Sequence, residues 1–75
     1  MNDHINIDPA ICHGKPIIRG TRVPVAIILG SLAGGMTYEE VRNEYDVSIE
    51  DIRAAMSYAA ELVEEERHHV LPAHS

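Results

Sequence analysis

The side chains best suited to chemistry in this chain are one cysteine and several histidines. Cys12 and His13 could pair as nucleophile and base, but neighbouring side chains in an extended segment point to opposite faces. We therefore interpret Cys12 as a small structural thiol, and a single cysteine also excludes an internal disulfide. His68, His69 and His74 lie at a polar helix end, where adjacent side chains diverge by about 100°. The sequence predicts no catalytic residue, no metal site and no cofactor.

Gly14-Lys15 is the one pair of residues typical of a phosphate-binding loop. That loop requires Ser or Thr directly after the lysine, and Pro16 stands there instead. No two carboxylates have a spacing that favours acid–base catalysis, and 75 residues leave little room for a substrate cleft. These observations exclude a nucleotide hydrolase and predict that the chain is not an enzyme.

Charge divides the chain unevenly. The net charge is −6, yet residues 1–22 hold three of the six bases and only two of the twelve acids. Lys15, Arg19 and Arg22 fall within eight residues and form either an arm that grips phosphates or a solvated face paired with the chain's own acids. Since affinity for DNA comes largely from neutralising phosphates, the acidic remainder suits a basic protein partner better.

The N-terminal third predicts a small β element. Residues 4–7 alternate polar and apolar, and Ile17-Ile18 can form a second strand, so residues 4–23 are predicted as a hairpin region. Gly20-Thr21 is a turn candidate, with Arg22-Val23 extending the strand beyond it. A first helix is predicted over 24–34, because Pro24 suits a first turn and Gly34-Gly35 supplies a stop.

The sequence holds two further helix-start signals, and both are capping-box patterns. Thr37 followed by Glu40 is a capping box and predicts a helix over 37–45. Ser48 followed by Asp51 is a looser box and predicts a helix over 48–68, with a tail over 69–75. The expected fold is a single, mainly α domain, a three-helix helix-turn-helix of homeodomain-like or winged-helix-like type with a short N-terminal β hairpin.

The third predicted helix carries two candidate surfaces. Arg53 and Ser57 join the N-terminal bases as candidate DNA contacts, while acids at the start of that helix, Glu50 and Asp51, repel phosphates. An apolar stripe on the other face predicts a core contact or an interface with a twin helix or a partner. The stripe consists of Ile49, Ile52, Met56, Ala59 and Val63.

One string of residues is more specific than these patterns. It runs Ile11-Cys12-His13-Gly14-Lys15-Pro16-Ile17-Ile18-Arg19-Gly20-Thr21-Arg22-Val23-Pro24-Val25 and is followed by Met36-Thr37-Tyr38-Glu39-Glu40. From about Ile5 to Leu62 the chain resembles the short bacterial and archaeal proteins grouped as domain of unknown function 433. The residues from Asp46 to Ala55 also look like that family's third helix.

The resemblance implies a type II antitoxin that partners a PIN-like ribonuclease, a toxin that cuts RNA with metal held by acids. It implies a helix-turn-helix fold and no catalytic motif. The resemblance further implies that the chain binds this toxin and, through its helix-turn-helix, operator DNA. We expect a cytoplasmic homodimer, because a chain of this size is marginal alone and its longest apolar run, Val23–Leu29, is too short for a bilayer. Two alternatives remain: a DNA-binding regulator without a toxin, and a protein-interaction module that never contacts DNA.

Overall fold

Three α-helices follow a two-stranded antiparallel hairpin in the computed structural model of the chain. The structure describes residues 3–7 and 14–74, with side chains over 3–7 and 14–65. In chain order the elements are β1 (Ile5–Asn6), β2 (Ile17–Ile18), α1 (Val25–Ala33), α2 (Tyr38–Tyr45) and α3 (Ile49–His74). The predicted fold class, a mainly helical three-helix domain with a short N-terminal hairpin, is confirmed.

The hairpin region is a double reversal of the chain. Ile5 of β1 lies opposite Ile18 of β2. The chain then turns at Gly20, whose φ of +83° lies in a region that favours glycine. Beyond this turn Val23 returns along β2, so that the Ile18 amide donates to the Val23 carbonyl at 2.9 Å. The segment Arg22-Val23, which the sequence predicts as an extension of the strand, therefore folds back and pairs with β2.

Helix α1 begins and ends where its prolines and glycines permit. Pro24 is the residue before the helix, with an extended ψ of 143°, one position earlier than the first-turn placement that the sequence predicted. At the other end Gly35 takes a φ of +107°, and its amide donates to the Leu32 carbonyl at 3.0 Å. The Met36 amide reaches back to the Ser31 carbonyl at 3.1 Å, which completes a Schellman motif.

Both predicted capping boxes form. The Thr37 hydroxyl accepts from the Glu40 amide at 3.1 Å, and the Glu40 carboxylate accepts from the Thr37 amide at 2.9 Å. The Ser48 hydroxyl accepts from the Asp51 amide at 3.0 Å, and the Asp51 carboxylate accepts from the Ser48 amide at 3.1 Å. Each box satisfies two amides that the helix start leaves without partners, so α2 and α3 begin at fixed residues.

The connection between α2 and α3 is tight because one residue adopts the left-handed conformation. Asp46 has φ 56° and ψ 49°, and its amide donates to the Arg42 carbonyl at 2.9 Å. Aspartate tolerates this region better than most residues, so it serves where a glycine is common. The short turn sets α3 directly after α2, the arrangement that a helix-turn-helix requires.

The core is built mainly from β-branched side chains drawn from every element. Its largest fully buried members lie on β2, α1, α2 and α3: Ile17, Ile18, Ile28, Val41 and Ile52. Each contributes about 1.5–3 kcal/mol by leaving water. Because the hairpin supplies two of these residues, it is an integral part of the core and positions the N-terminal bases relative to the helices.

Helix α3 continues past the core. The last of its buried residues among those described is Ala55, and residues 61–65 are all exposed. The helix ends at His74, whereas the sequence predicted an end near His68 and a tail over 69–75. Pro72 lies two residues before this end, so the backbone donor that a proline removes is lost only in the last turn of the helix.

Candidate protein and nucleic-acid interfaces

Arg19 ties the two strands of the hairpin together. Its guanidinium donates through Nε to the Asp3 carbonyl at 2.6 Å and through one terminal nitrogen to the Ile5 carbonyl at 3.3 Å. Its own amide donates to the His4 carbonyl at 2.7 Å. The side chain is exposed, but these contacts give it a structural role in the hairpin besides the predicted contact with phosphates.

The other four candidate DNA contacts are exposed. Lys15 and Arg22 lie on the hairpin, and Arg53 and Ser57 lie one turn apart on α3. Glu50 is exposed one turn before Arg53 on the same helix. The DNA contacts therefore stay a prediction, with a carboxylate close to the α3 pair.

A shallow, open groove lies at the turn between α2 and α3. Its lining holds three carboxylates and one guanidinium, that of Arg42, which is hydrogen-bonded to Glu39 at 3.2 Å. Carboxylates here oppose the approach of a phosphate backbone to the start of α3. The lining residues are Arg42, Asp46, Val47, Ser48, Ile49, Glu50 and Asp51.

A side-chain hydrogen bond joins the hairpin region to the start of α3. His4 Nδ1 lies 2.9 Å from Asp51 Oδ1, and the Asp51 side chain is 20% exposed. Burial raises the pKa of Asp51, but hydrogen bonds from Ser48 and His4 outweigh it, so the net pKa lies below the ordinary carboxyl value. Asp51 therefore caps α3 and fixes the hairpin against it.

The apolar stripe of α3 passes from the core into solvent. Ile49, Met56 and Ala59 are half-buried, Ile52 is fully buried in the chain's own core, and Val63 is 56% exposed. A contact by Ile52 with a partner would require the core to open, whereas the other four stripe residues keep surface that a partner can reach. Periodicity alone predicts the stripe but not where the domain stops covering it.

Two exposed apolar residues beside this stripe were not predicted. Leu62 is 43% exposed next to Val63, and Tyr38 of α2 is 39% exposed. The Tyr38 hydroxyl donates to Met56 Sδ at 3.6 Å, which places the ring beside the stripe. The signal for Leu62 was present in the sequence, since it lies seven residues after the buried Ala55 and so shares its side of the helix.

The structure leaves some predicted features untested. Cys12 and His13 lie outside the described residues, as do the side chains of the three C-terminal histidines. Over the described residues, no three His, Cys, Asp or Glu side chains come together as a metal site would require. Over the same part of the chain, no helix combines the length and apolar character needed to cross a bilayer.

The sequence from the hairpin to the middle of α3 matches a known family. The sequence model of the family described as protein of unknown function DUF433 matches residues 5–59. The chain belongs to this family. The resemblance carried by the string from Ile11 to Val25 is thereby confirmed, and the matched region contains the hairpin, α1, α2 and the buried part of α3.

Relatives with known names or structures extend the comparison. A candidate antitoxin, VapB45 of Mycobacterium tuberculosis, is 33% identical over 57 residues, which cover 76% of this chain and 24% of that protein. The crystal structure of Rv2018 from M. tuberculosis is 35% identical with a TM-score of 0.64, over 69% of this chain and 24% of that one. This DUF433 chain thus spans about a quarter of the length of these two relatives.

A smaller DUF433 protein matches over more of its length. The crystal structure of a family member from Anabaena variabilis is 28% identical with a TM-score of 0.76. The alignment covers 92% of this chain and 69% of that one. Its coverage of both chains shows that most of the present fold recurs in that family member.

Proposed function

We propose that this DUF433 chain is the antitoxin of a type II toxin–antitoxin system and neutralises a PIN-like ribonuclease by binding it directly. The observation that carries the proposal is the 33% identity to a candidate antitoxin over 57 residues, all within one small domain. The fold supports it, because the described residues form a compact core and leave apolar side chains such as Leu62 and Val63 exposed for contact with a partner. We propose a non-catalytic, cytoplasmic role.

The negative net charge of the chain supports a partner protein that binds RNA. The chain carries a net charge of −6, and a ribonuclease must present cations to RNA phosphates. Opposite charges on two surfaces accelerate their encounter and exclude wrong partners. An acidic antitoxin and a basic ribonuclease surface are therefore complementary.

We further propose that the chain forms a homodimer and represses its own promoter. Exposed bases on the hairpin, Lys15 and Arg22, together with Arg53 and Ser57 of α3, are the candidate operator contacts. Dimerisation would double this small basic surface. A mass measurement at micromolar concentration that finds only monomer would remove the dimer from the proposal.

The test is growth of host cells that express the product of each adjacent gene. We expect one of those products to stop growth alone and to become harmless when this chain is co-expressed. A matched control is the Ile28→Asp variant, which places a carboxylate in the core and should lose the protection with the fold. Growth that neither adjacent product impairs would contradict the proposal.

A second candidate function is a protein-interaction module that does not bind DNA. It is favoured by the carboxylates of Glu50 and Asp51 at the start of α3, where a recognition helix meets base edges. A stand-alone DNA-binding regulator is the third candidate, and the exposed hairpin bases favour it. A gel-shift measurement on the chain's own upstream DNA separates these two, since only the regulator binds there.

A further inference from the structure

We draw no further inference here: the strongest candidate, the exposed apolar face of α3 around Leu62 and Val63, carries none because nothing in the part of the chain that the structure describes shows what covers it.

Discussion

At the scale of single residues, Asp46 shows how a side chain can stand in for a missing glycine. It takes φ 56° between α2 and α3, and it is the non-glycine residue with positive φ in the described part of the chain. The predicted helices over 37–45 and 48–68 leave Asp46 and Val47 between them, with no glycine at the turn. The backbone shows that the turn geometry is kept and that aspartate carries the conformational cost.

The conformation of Asp46 leads to a prediction with opposite signs for two substitutions. Asp46→Gly should raise the free energy of unfolding by about 1 kcal/mol, because glycine adopts positive φ without steric cost. Asp46→Val should lower it by about 1–3 kcal/mol, since β-branched residues fit this region poorly. Urea unfolding of the two variants measures both effects. Equal stability of the two would show that the turn relaxes to another geometry.

Asp51 makes the free energy of unfolding depend on pH in the acidic range. Its pKa is lower in the folded chain than the ordinary value of 3.8, so the unfolded chain binds its proton more readily. Its contribution to the free energy of unfolding is present above the unfolded pKa and is lost as pH falls through the folded pKa.

We therefore expect Asp51→Asn to flatten the fall in stability between about pH 5 and about pH 3, the range in which such carboxyls titrate. Urea unfolding across this range is the measurement. Glu50→Gln is the control, because it removes an exposed carboxylate from the same turn of α3 and lacks the contact with His4. An unchanged pH dependence in Asp51→Asn would mean that the contacts with Ser48 and His4 add little to stability.

At the scale of elements, one glycine inside α1 and one just after its end have opposite conformational needs. Gly30 lies inside the helix, and a Cβ built there meets no atom within 4 Å. Gly35 ends the Schellman motif with a φ of +107°. The same chemical change should therefore stabilise one position and destabilise the other.

Gly30→Ala should raise the free energy of unfolding by about 0.5–1 kcal/mol, because alanine loses less backbone entropy in a helix. Gly35→Ala should lower it by about 1 kcal/mol or more, because alanine does not favour positive φ. Thermal unfolding of the two variants gives the comparison directly. A loss of stability in Gly30→Ala would mean that the outer face of α1 is covered in solution.

The elements also show what the sequence could and could not predict. The boxes at Thr37 and Ser48, and the stop at Gly34-Gly35, depend on hydrogen bonds between residues three to five apart, so the local sequence predicts them. Which residues of the α3 stripe are buried depends on how much of α3 is covered by α1 and the hairpin. The periodicity of the sequence does not contain this information. The predicted stripe therefore includes Ile52, which is fully buried, and leaves out Leu62, which is 43% exposed.

At the scale of the whole molecule, the distribution of charge separates DNA binding from protein binding. If the hairpin grips phosphates, Lys15→Ala with Arg22→Ala should weaken binding to all DNA sequences alike. The slope of log affinity against log salt should fall by about 0.9 for each phosphate that the variant no longer neutralises. These residues are a better choice than Arg19, whose substitution would also loosen the hairpin through its hydrogen bonds to Asp3 and Ile5.

Arg42→Ala is the control for this prediction. Arg42 is also exposed, but it lies on α2 and is hydrogen-bonded to Glu39, so its removal should leave the salt slope unchanged. Gel shifts over a range of salt concentrations provide the slopes. Equal slopes for all variants would place any DNA surface away from the hairpin.

The most direct test of the antitoxin proposal is co-purification of the tagged chain with its native flanking genes expressed beside it. The wash should use about 0.3 M salt, at which charges more than several ångström apart are screened. We expect that a PIN-like ribonuclease stays bound in stoichiometric amount and that its RNA cleavage is blocked until the two proteins are separated. A chain that emerges without either adjacent product, from cells that those products do not harm, would contradict it.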